Sequence, residues 1–168
     1  MTNNDILRSI RYILNSSETK IIEIIGLTGF KVSKEDLSSF LKLEDEPGYK
    51  NCGDKVLAHF LDGLIIFKRG LEIKLVQNLD MQVPNTQNTP GVSDVPSGPS
   101  VVMTNNLILK KLRVAFELKD TDIIRLIEKS GLKISKSELS AFFRNQDHRN
   151  YRDCGNQFLR NLLRGMAL

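Results

Sequence analysis

The sequence predicts an all-α protein that consists of a four-helix unit written twice. The chain aligns with itself without a gap at a shift of 102 residues: residues 1–66 match residues 103–168, and 25 of the 66 pairs are identical. Apolar residues recur at helical spacing in both copies, and a stretch rich in Pro, Asn and Gly separates them. We therefore predict a first helical repeat over 1–70, a flexible linker over 71–102 and a second helical repeat over 103–168.

The first helix of each repeat is predicted from a polar start followed by an apolar face. In the first copy it is expected to begin at Asn3 or Asn4, because an asparagine side chain accepts an otherwise unpaired backbone N–H at a helix start. Ile6, Leu7 and Ile10 then recur at helical spacing. The second copy repeats this pattern with Asn105, Asn106, Ile108, Leu109 and Leu112.

The second helix is predicted over residues 19–27 and again over residues 121–129. Each segment is rich in isoleucine, which also suits a strand, but the doubled period of about 3.6 residues favours a helix. Gly29 and Gly131 follow the two segments, and a glycine there can take a positive φ and end the helix.

The third helix begins at a serine in both copies. Ser33 precedes Asp36 and Ser135 precedes Glu138 at the three-residue spacing of a capping box. Because aspartate has a shorter side chain than glutamate, we expect the first of the two boxes to be the weaker one.

The fourth helix follows a Cys-Gly pair and has a double row of apolar residues. The two rows are Val56, Leu57, Phe60, Leu61, Leu64 and Ile65 in the first copy, and Phe158, Leu159, Leu162, Leu163 and Met166 in the second. In the first copy, residues 64–67 extend this helix beyond its counterpart. We expect this extension to cover the second copy, to pair two chains or to receive a partner helix.

The linker and the size of the repeats lead to one expectation about packing. Residues 71–102 contain four of the five prolines, and a short strand over 71–76 is a weaker alternative to a fully flexible segment. A copy of about 66 residues is close to the lower limit for an independent core. We therefore expect the copies to pack on each other through equivalent helices, with pseudo-twofold symmetry.

Composition excludes several classes of protein. No run of about 18 apolar residues is present, which argues against a membrane span, and the first residues lack the pattern of a secretory signal. With only two cysteines, we expect a cytoplasmic protein with free thiols. The chain has no glycine-rich phosphate loop, no metal-ligand spacing and no nucleophile motif. We therefore predict a non-enzymatic protein without a cofactor or a metal site. The sequence also identifies no small-molecule substrate.

The two repeats differ sharply in charge. Residues 1–70 carry 10 basic and 10 acidic side chains, residues 71–102 carry one and three, and residues 103–168 carry 13 and 7. The second repeat therefore has a net charge of +6, which predicts an anionic partner. The candidate nucleic-acid-binding residues are Arg144, Arg149, Arg152, Arg160 and Arg164, with Tyr151 as an aromatic neighbour. A solvated basic helix face is the alternative.

A loop with the pattern Asp-x-x-x-Tyr-x-x-Cys-Gly occurs once in each repeat. Its residues are Asp45, Tyr49, Cys52 and Gly53 in the first copy, and Asp147, Tyr151, Cys154 and Gly155 in the second. A cysteine at a helix N-terminus can have a lowered pKa, which would suit a thiol-based sensor. No base or metal-ligand set accompanies it in sequence. We therefore interpret the motif as structural, with a buried cysteine, an anchoring tyrosine ring and an aspartate that accepts backbone N–H groups.

Several segments together resemble a known bacterial family. They are NNDILRSIRYIL and its echo NNLILKKLRVAF, the EDE-x-GY-x-x-C loop, FLDGLI with KRG, and DHRNYRDCGNQFLRNLLRG. These segments are similar to those of the YehS-like proteins, the domain of unknown function 1456 family, in both copies. The resemblance implies a short, cytoplasmic, two-copy protein, and it implies no activity and no ligand residues.

The sequence therefore leaves a choice of functions for a cytoplasmic binding protein. The first hypothesis is a nucleic-acid-associated accessory or regulatory protein that contacts phosphates through the second repeat. An acidic protein is the other anionic partner that would suit the same residues. The alternatives are a protein-interaction or homodimerising helical module and, less favoured, a thiol-based sensor that uses Cys52 and Cys154.

Overall fold

The computed structural model describes residues 1–70 and 102–168, and this part of the chain is entirely helical and loop. Its eight helices are α1 (Asn3–Leu14), α2 (Glu18–Gly26), α3 (Lys34–Leu41), α4 (Asp54–Arg69), α5 (Asn105–Ala115), α6 (Asp120–Lys129), α7 (Lys136–Phe142) and α8 (Asn156–Ala167). The predicted all-α, four-plus-four organisation is confirmed. The predicted linker and the alternative strand over 71–76 lie outside the described residues.

The first helix of each repeat begins at a threonine cap, and the asparagine cap expected from the sequence is wrong. Thr2 has an extended backbone and its hydroxyl accepts the N–H of Asp5, while Asn3 is already helical. Thr104 does the same for Leu107 at the start of α5. The asparagines that follow are inside the helices, so their side chains are available for contacts with another part of the repeat.

The serine caps of the third helices agree with the sequence. In α7, Ser135 accepts the N–H of Glu138, and the Glu138 carboxylate accepts the N–H of Ser135 at 3.0 Å, which completes a capping box. In α3 only the first of these bonds forms. The shorter Asp36 carboxylate instead accepts a hydrogen bond from Lys50 Nζ at 2.9 Å.

The two repeats pack together through reciprocal pairs of helices. Helix α4 packs on α5, and α8 packs on α1. Because α1 and α5 are equivalent, as are α4 and α8, the two pairs are related as pseudo-twofold symmetry requires. The packing partners are first and fourth helices, not equivalent helices as the sequence suggested. Buried apolar side chains from both repeats form one continuous core around this four-helix centre.

The second helix of each repeat lies against the fourth at a glycine. A Cβ atom built on Gly63 in α4 would stand 2.0 Å from the carbonyl oxygen of Ile24 in α2. At the equivalent position, a Cβ atom on Gly165 in α8 would stand 2.1 Å from the carbonyl oxygen of Leu126 in α6. Only glycine allows the two backbones to approach this closely, so the same close crossing is built into both repeats.

The α4–α5 interface contains a buried ion pair. Asp62 of α4 and Lys111 of α5 form a salt bridge, with side chains that are 1% and 0% exposed. Burial raises the pKa of Asp62 and lowers that of Lys111, and each partner opposes the shift of the other. The second carboxylate oxygen of Asp62 has no hydrogen-bond partner among the described residues.

The C-terminal end of α4 contacts the second repeat of the same chain. Arg69 Nε is 3.0 Å from a carboxylate oxygen of Glu117, and its Nη1 donates to the carbonyl oxygen of Val114 at 3.2 Å. Lys68 Nζ lies 5.0 Å from the centre of the Phe116 ring. These contacts belong to the two residues that follow residues 64–67 on α4, whereas Phe67 itself lies under Lys20 Nζ of the first repeat, 4.5 Å from its ring centre. The three roles expected for residues 64–67 therefore stay predictions.

Candidate functional site

The two reciprocal interfaces carry different residues at equivalent positions. In the α4–α5 interface, Asp62 pairs with Lys111. In the α1–α8 interface, the residue equivalent to Asp62 is Arg164, and the residue equivalent to Lys111 is Ser9. The α1–α8 interface therefore has no counterpart of the buried ion pair and exposes an arginine instead. One turn earlier the same difference recurs, because the buried Ala58 of α4 corresponds to the exposed Arg160 of α8.

An open cleft of about 860 Å³ lies between α1 and α8. Its polar lining consists of arginines, hydroxyls and amides: Arg8, Arg11, Arg160, Arg164, Ser9, Tyr12, Ser16, Asn15, Gln157 and Asn161. Met1, Leu41, Leu163 and Ala167 complete the lining. Within the described residues, no aspartate or glutamate lines this cleft, so its charge is positive.

The arginines on the two walls of the cleft differ in how they are held. On α1, Arg8 pairs with Asp5 and donates from Nη1 to the carbonyl oxygen of Lys42 at 2.6 Å. Arg11 donates from Nε to the carbonyl oxygen of Ser16 at 3.1 Å. On α8, the guanidinium groups of Arg160 and Arg164 form no hydrogen bond or ion pair with any residue that the structure describes.

Asn161 adds a buried polar group to the same cleft. The residue is only 6% exposed, and its side-chain amide forms no hydrogen bond to another described residue. Among the described residues the enclosed side-chain polar atoms without a partner are His59 Nε2 and Asp62 Oδ2, so the amide atoms of Asn161 are not fully enclosed. Asn161 lines the cleft, so a molecule in the cleft is the natural partner for this amide.

His59 is the residue of the first repeat that is equivalent to Asn161, and its ring is packed against neighbouring side chains. Its ring stacks on Phe30 with 4.4 Å between ring centres, and Nδ1 lies 3.0 Å from the hydroxyl oxygen of Thr28. Burial, together with the charges of Lys55 and Lys111, lowers the pKa of His59 to about 4. The imidazole is therefore neutral at pH 7 and packs as part of the core.

Four of the predicted nucleic-acid-binding residues lie together in a second, smaller hollow. This hollow of about 520 Å³ is lined by Arg144, Arg149, Tyr151 and Arg152, with Ser137, Glu138, Ala141 and Asn150. Arg152 is 3.9 Å from a Glu138 carboxylate oxygen, whereas Arg144 and Arg149 contact no carboxylate among the described residues. Partial burial and the neighbouring Asp153 raise the pKa of Tyr151, so its hydroxyl is protonated at pH 7.

The structure therefore divides the predicted basic residues into two groups. Arg160 and Arg164 lie in the cleft between α1 and α8, and the other candidates lie in the hollow. Sequence reasoning missed Arg8, Arg11 and Asn161, which complete the cleft. The signal that could have found it is the replacement of Asp62 and Ala58 by arginines at the equivalent positions of the second copy.

The cysteine loops are held by the asparagine at the second position of the first helix. Asn4 donates from Nδ2 to the carbonyl oxygens of Phe40 and Lys50, at 2.9 and 2.8 Å, and its Oδ1 accepts the N–H of Cys52 at 2.9 Å. Asn106 makes the three equivalent bonds to Phe142, Arg152 and Cys154. Each loop is thereby fixed to the start of its own repeat.

The aspartate, tyrosine and glycine of the motif make fewer contacts than the cysteine does. Asp45 and Asp147 are exposed and accept no hydrogen bond from a described residue, in contrast to the expected role. The Tyr49 hydroxyl donates to Asn51 Oδ1 at 2.9 Å. Gly53 and Gly155 are the N-cap residues of α4 and α8.

Both cysteine thiols are buried, and this overturns the lowered pKa that a thiol-based sensor requires. Burial, with the nearby charge of Asp54, raises the pKa of Cys52 to about 12, and burial alone raises the pKa of Cys154 to about 12. Each sulfur lies 3.7 Å from the carbonyl oxygen of the following glycine. The thiols are therefore protonated and shielded, and they act as small apolar core residues.

Within the part of the chain that the structure describes, none of the helices is long and apolar enough to cross a membrane. Residues 1–70 and 102–168 also contain no group of three or more His, Cys, Asp or Glu side chains placed to hold a metal ion.

The chain is similar to known proteins at the level of a family model and of a full-length relative. The family model described as "Protein of unknown function (DUF1456)" matches residues 3–70 and again residues 105–168. The chain is 38% identical over 167 residues to "Uncharacterized protein YehS" of Escherichia coli (strain K12), which covers 99% of this chain and 95% of that protein. No solved structure gives a significant match.

Proposed function

Since the chain belongs to the DUF1456 family, whose description names no activity, we propose that it is a non-enzymatic, cytoplasmic protein that associates with nucleic acid. In this proposal the second repeat contacts phosphates through Arg144, Arg149, Arg152, Arg160 and Arg164. Tyr151 supplies a ring beside them. These contacts are to the phosphate backbone, and phosphate contacts position a protein on the strand without reading base sequence.

The observation that carries the proposal is the absence of carboxylate partners around these arginines. Of these five arginines, only Arg152 has a carboxylate of a described residue within 4 Å, and that distance is 3.9 Å. Basic residues on most protein surfaces are interspersed with acidic ones, so unpaired arginines on one repeat produce a positive field. A guanidinium donates two parallel hydrogen bonds to a phosphate, which makes arginine well suited to this contact.

The first repeat supplies an internal comparison. The residues equivalent to Arg149, Arg160 and Arg164 are Pro47, Ala58 and Asp62. The last two are buried, and Asp62 pairs with Lys111 of α5. Since both repeats have the same fold, these arginines are not needed to form it, and this supports a role in binding.

The test of this proposal is the salt dependence of binding to a fluorescent single-stranded RNA of mixed sequence. If about five phosphates are neutralised, the logarithm of the affinity falls against the logarithm of salt with a slope of about −3.5. Charge reversal in an Arg149→Glu, Arg152→Glu variant is expected to weaken binding about 100-fold at low salt. Fluorescence anisotropy measures both quantities.

A matched control reverses two charges on α6, away from both clusters. The Arg125→Glu, Lys129→Glu variant has the same net charge as the test variant, so it separates local contact from overall charge. We expect it to keep most of the affinity. Absence of RNA binding at 50 mM salt, or equal losses in the two variants, would contradict the proposal.

An acidic protein is the second candidate partner, because the same arginines would bind carboxylates. Affinity purification with and without nuclease treatment separates the two: partners lost on treatment support nucleic acid, and partners retained support a protein. Homodimerisation through residues 64–67 has less support, since Lys68 and Arg69, which follow that segment on α4, contact the second repeat of their own chain.

A further inference from the structure

We propose that the cleft between α1 and α8 binds a small organic polyphosphate of nucleotide size. Its phosphate chain would lie between the arginines of the two walls, and its organic part would lie beside Tyr12. The site goes beyond association with a nucleic-acid strand and shares only Arg160 and Arg164 with that proposal. The two proposals can fail independently, because the hollow that contains Arg149 and Arg152 is separate from the cleft.

The charge of the cleft selects for a ligand with several negative charges. Arg11, Arg160 and Arg164 have no carboxylate within 4 Å among the described residues, whereas Arg8 is already paired with Asp5. Three uncompensated guanidinium groups in one cleft repel one another, and a chain of phosphates relieves this repulsion. A ligand with a single carboxylate would leave most of the positive charge uncompensated.

One wall of the cleft is already arranged for binding. The carbonyl oxygens of Lys42 and Ser16 fix Arg8 and Arg11, at 2.6 and 3.1 Å, so little side-chain entropy is lost there when a ligand binds. On the opposite wall, Arg160 and Arg164 are one helical turn apart on α8 and are free to close on phosphate oxygens. Together they can hold an anion from two sides.

The unpaired amide of Asn161 points to a ligand independently of charge. It lies on α8 between the two arginines, it is 6% exposed, and it has no hydrogen-bond partner among the described residues. A ligand oxygen in the cleft would accept a hydrogen bond from this amide, which no described residue occupies. At the equivalent position, His59 stacks on Phe30 and its Nε2 is enclosed without a hydrogen-bond partner, so the first repeat offers no accessible amide there.

The size and remaining lining of the cleft suit a nucleotide more than phosphate alone. A volume of about 860 Å³ falls in the range of roughly 300–1,000 Å³ that is usual for small-molecule sites. Tyr12 is 74% exposed and offers a ring on which a base can stack. The amides of Asn15 and Gln157 lie in the same cleft and can form hydrogen bonds with a sugar or a base.

The test is isothermal titration of the full chain with magnesium-free ATP, GTP and inorganic tripolyphosphate at 50 mM salt. We expect one nucleoside triphosphate to bind per chain, more tightly than tripolyphosphate. Arg160→Ala and Arg164→Ala should each weaken the binding about tenfold, since each removes a charge-assisted hydrogen bond. Both side chains are exposed and without partners, so neither change is expected to unfold the protein.

Two controls complete the experiment. Arg125→Ala removes an exposed arginine of the same repeat on α6 and should leave the affinity unchanged. The Arg149→Glu, Arg152→Glu variant should lose RNA binding and keep nucleotide binding, which distinguishes this proposal from the previous one. No heat of binding with ATP or GTP at millimolar concentration would overturn the inference. Equal affinity for tripolyphosphate, or equal affinity in Arg160→Ala, Arg164→Ala and the control, would also overturn it.

Discussion

The Lys111→Met variant is expected to lose about 3–5 kcal/mol of unfolding free energy at pH 7, because it leaves the Asp62 carboxylate buried without its partner. Burial already raises the pKa of Asp62, and Lys111 is the group that opposes the rise. Removing Lys111 should therefore raise this pKa further. A raised carboxyl pKa favours the folded state at low pH, so the loss should shrink as the pH falls from 7 towards 4. Urea unfolding at several pH values measures it.

Two variants test whether the loss arises from a buried charge. In an Asp62→Leu, Lys111→Met double variant both charges are gone, and stability should return to within about 1 kcal/mol of the original chain or exceed it. Arg69→Met breaks an exposed ion pair with Glu117 between the same two repeats and should cost less than about 1 kcal/mol. A double variant as unstable as Lys111→Met would contradict this explanation.

The second large effect is expected at the glycines where two helices cross. Gly165→Ala would place a Cβ atom 2.1 Å from the carbonyl oxygen of Leu126, and Gly63→Ala would place one 2.0 Å from that of Ile24. Because both obstacles are backbone atoms, the helices must separate and disturb the core. We expect each variant to lose about 3 kcal/mol or more, at the upper end of overpacking effects. Thermal and urea unfolding measure this loss.

Gly26→Ala is the matched control for the glycine variants. Gly26 ends α2, and a Cβ atom there would meet nothing within 4 Å. Alanine is favoured over glycine in a helix, so this variant should be unchanged or up to about 1 kcal/mol more stable. If Gly26→Ala and Gly165→Ala had the same effect, the close crossing of α6 and α8 would not be the cause.

The duplication made most of the fold predictable, because the sequence features that indicate a helix occur at the same positions in both repeats. The spacing of apolar residues and the serine caps located the helices to within a few residues. The pairing of first and fourth helices was not predictable, since an apolar face shows that a helix is covered and not which helix covers it. Thr2 was missed as the cap because Asn3 and Asn4 are also good cap residues.

Only part of the candidate site could be predicted from the sequence. Arg160 and Arg164 were identified from the charge of the second repeat, but Arg8 and Arg11 belong to a repeat of zero net charge. They reach the same cleft only because α1 packs on α8 across the two repeats. Similarly, the role of Asn4 and Asn106 depends on three loop atoms brought together by folding, and no local spacing indicates it.

Native-state hydrogen exchange on the full chain tests most directly whether the two repeats share a single core. The slowest amides of α4 and α8, which belong to different repeats, should have the same opening free energy, equal to that of global unfolding. The Lys111→Met variant should lower both values by the same amount. A repeat whose slowest amides exchange at a separate, lower free energy, or a variant that affects only one repeat, would contradict the shared core.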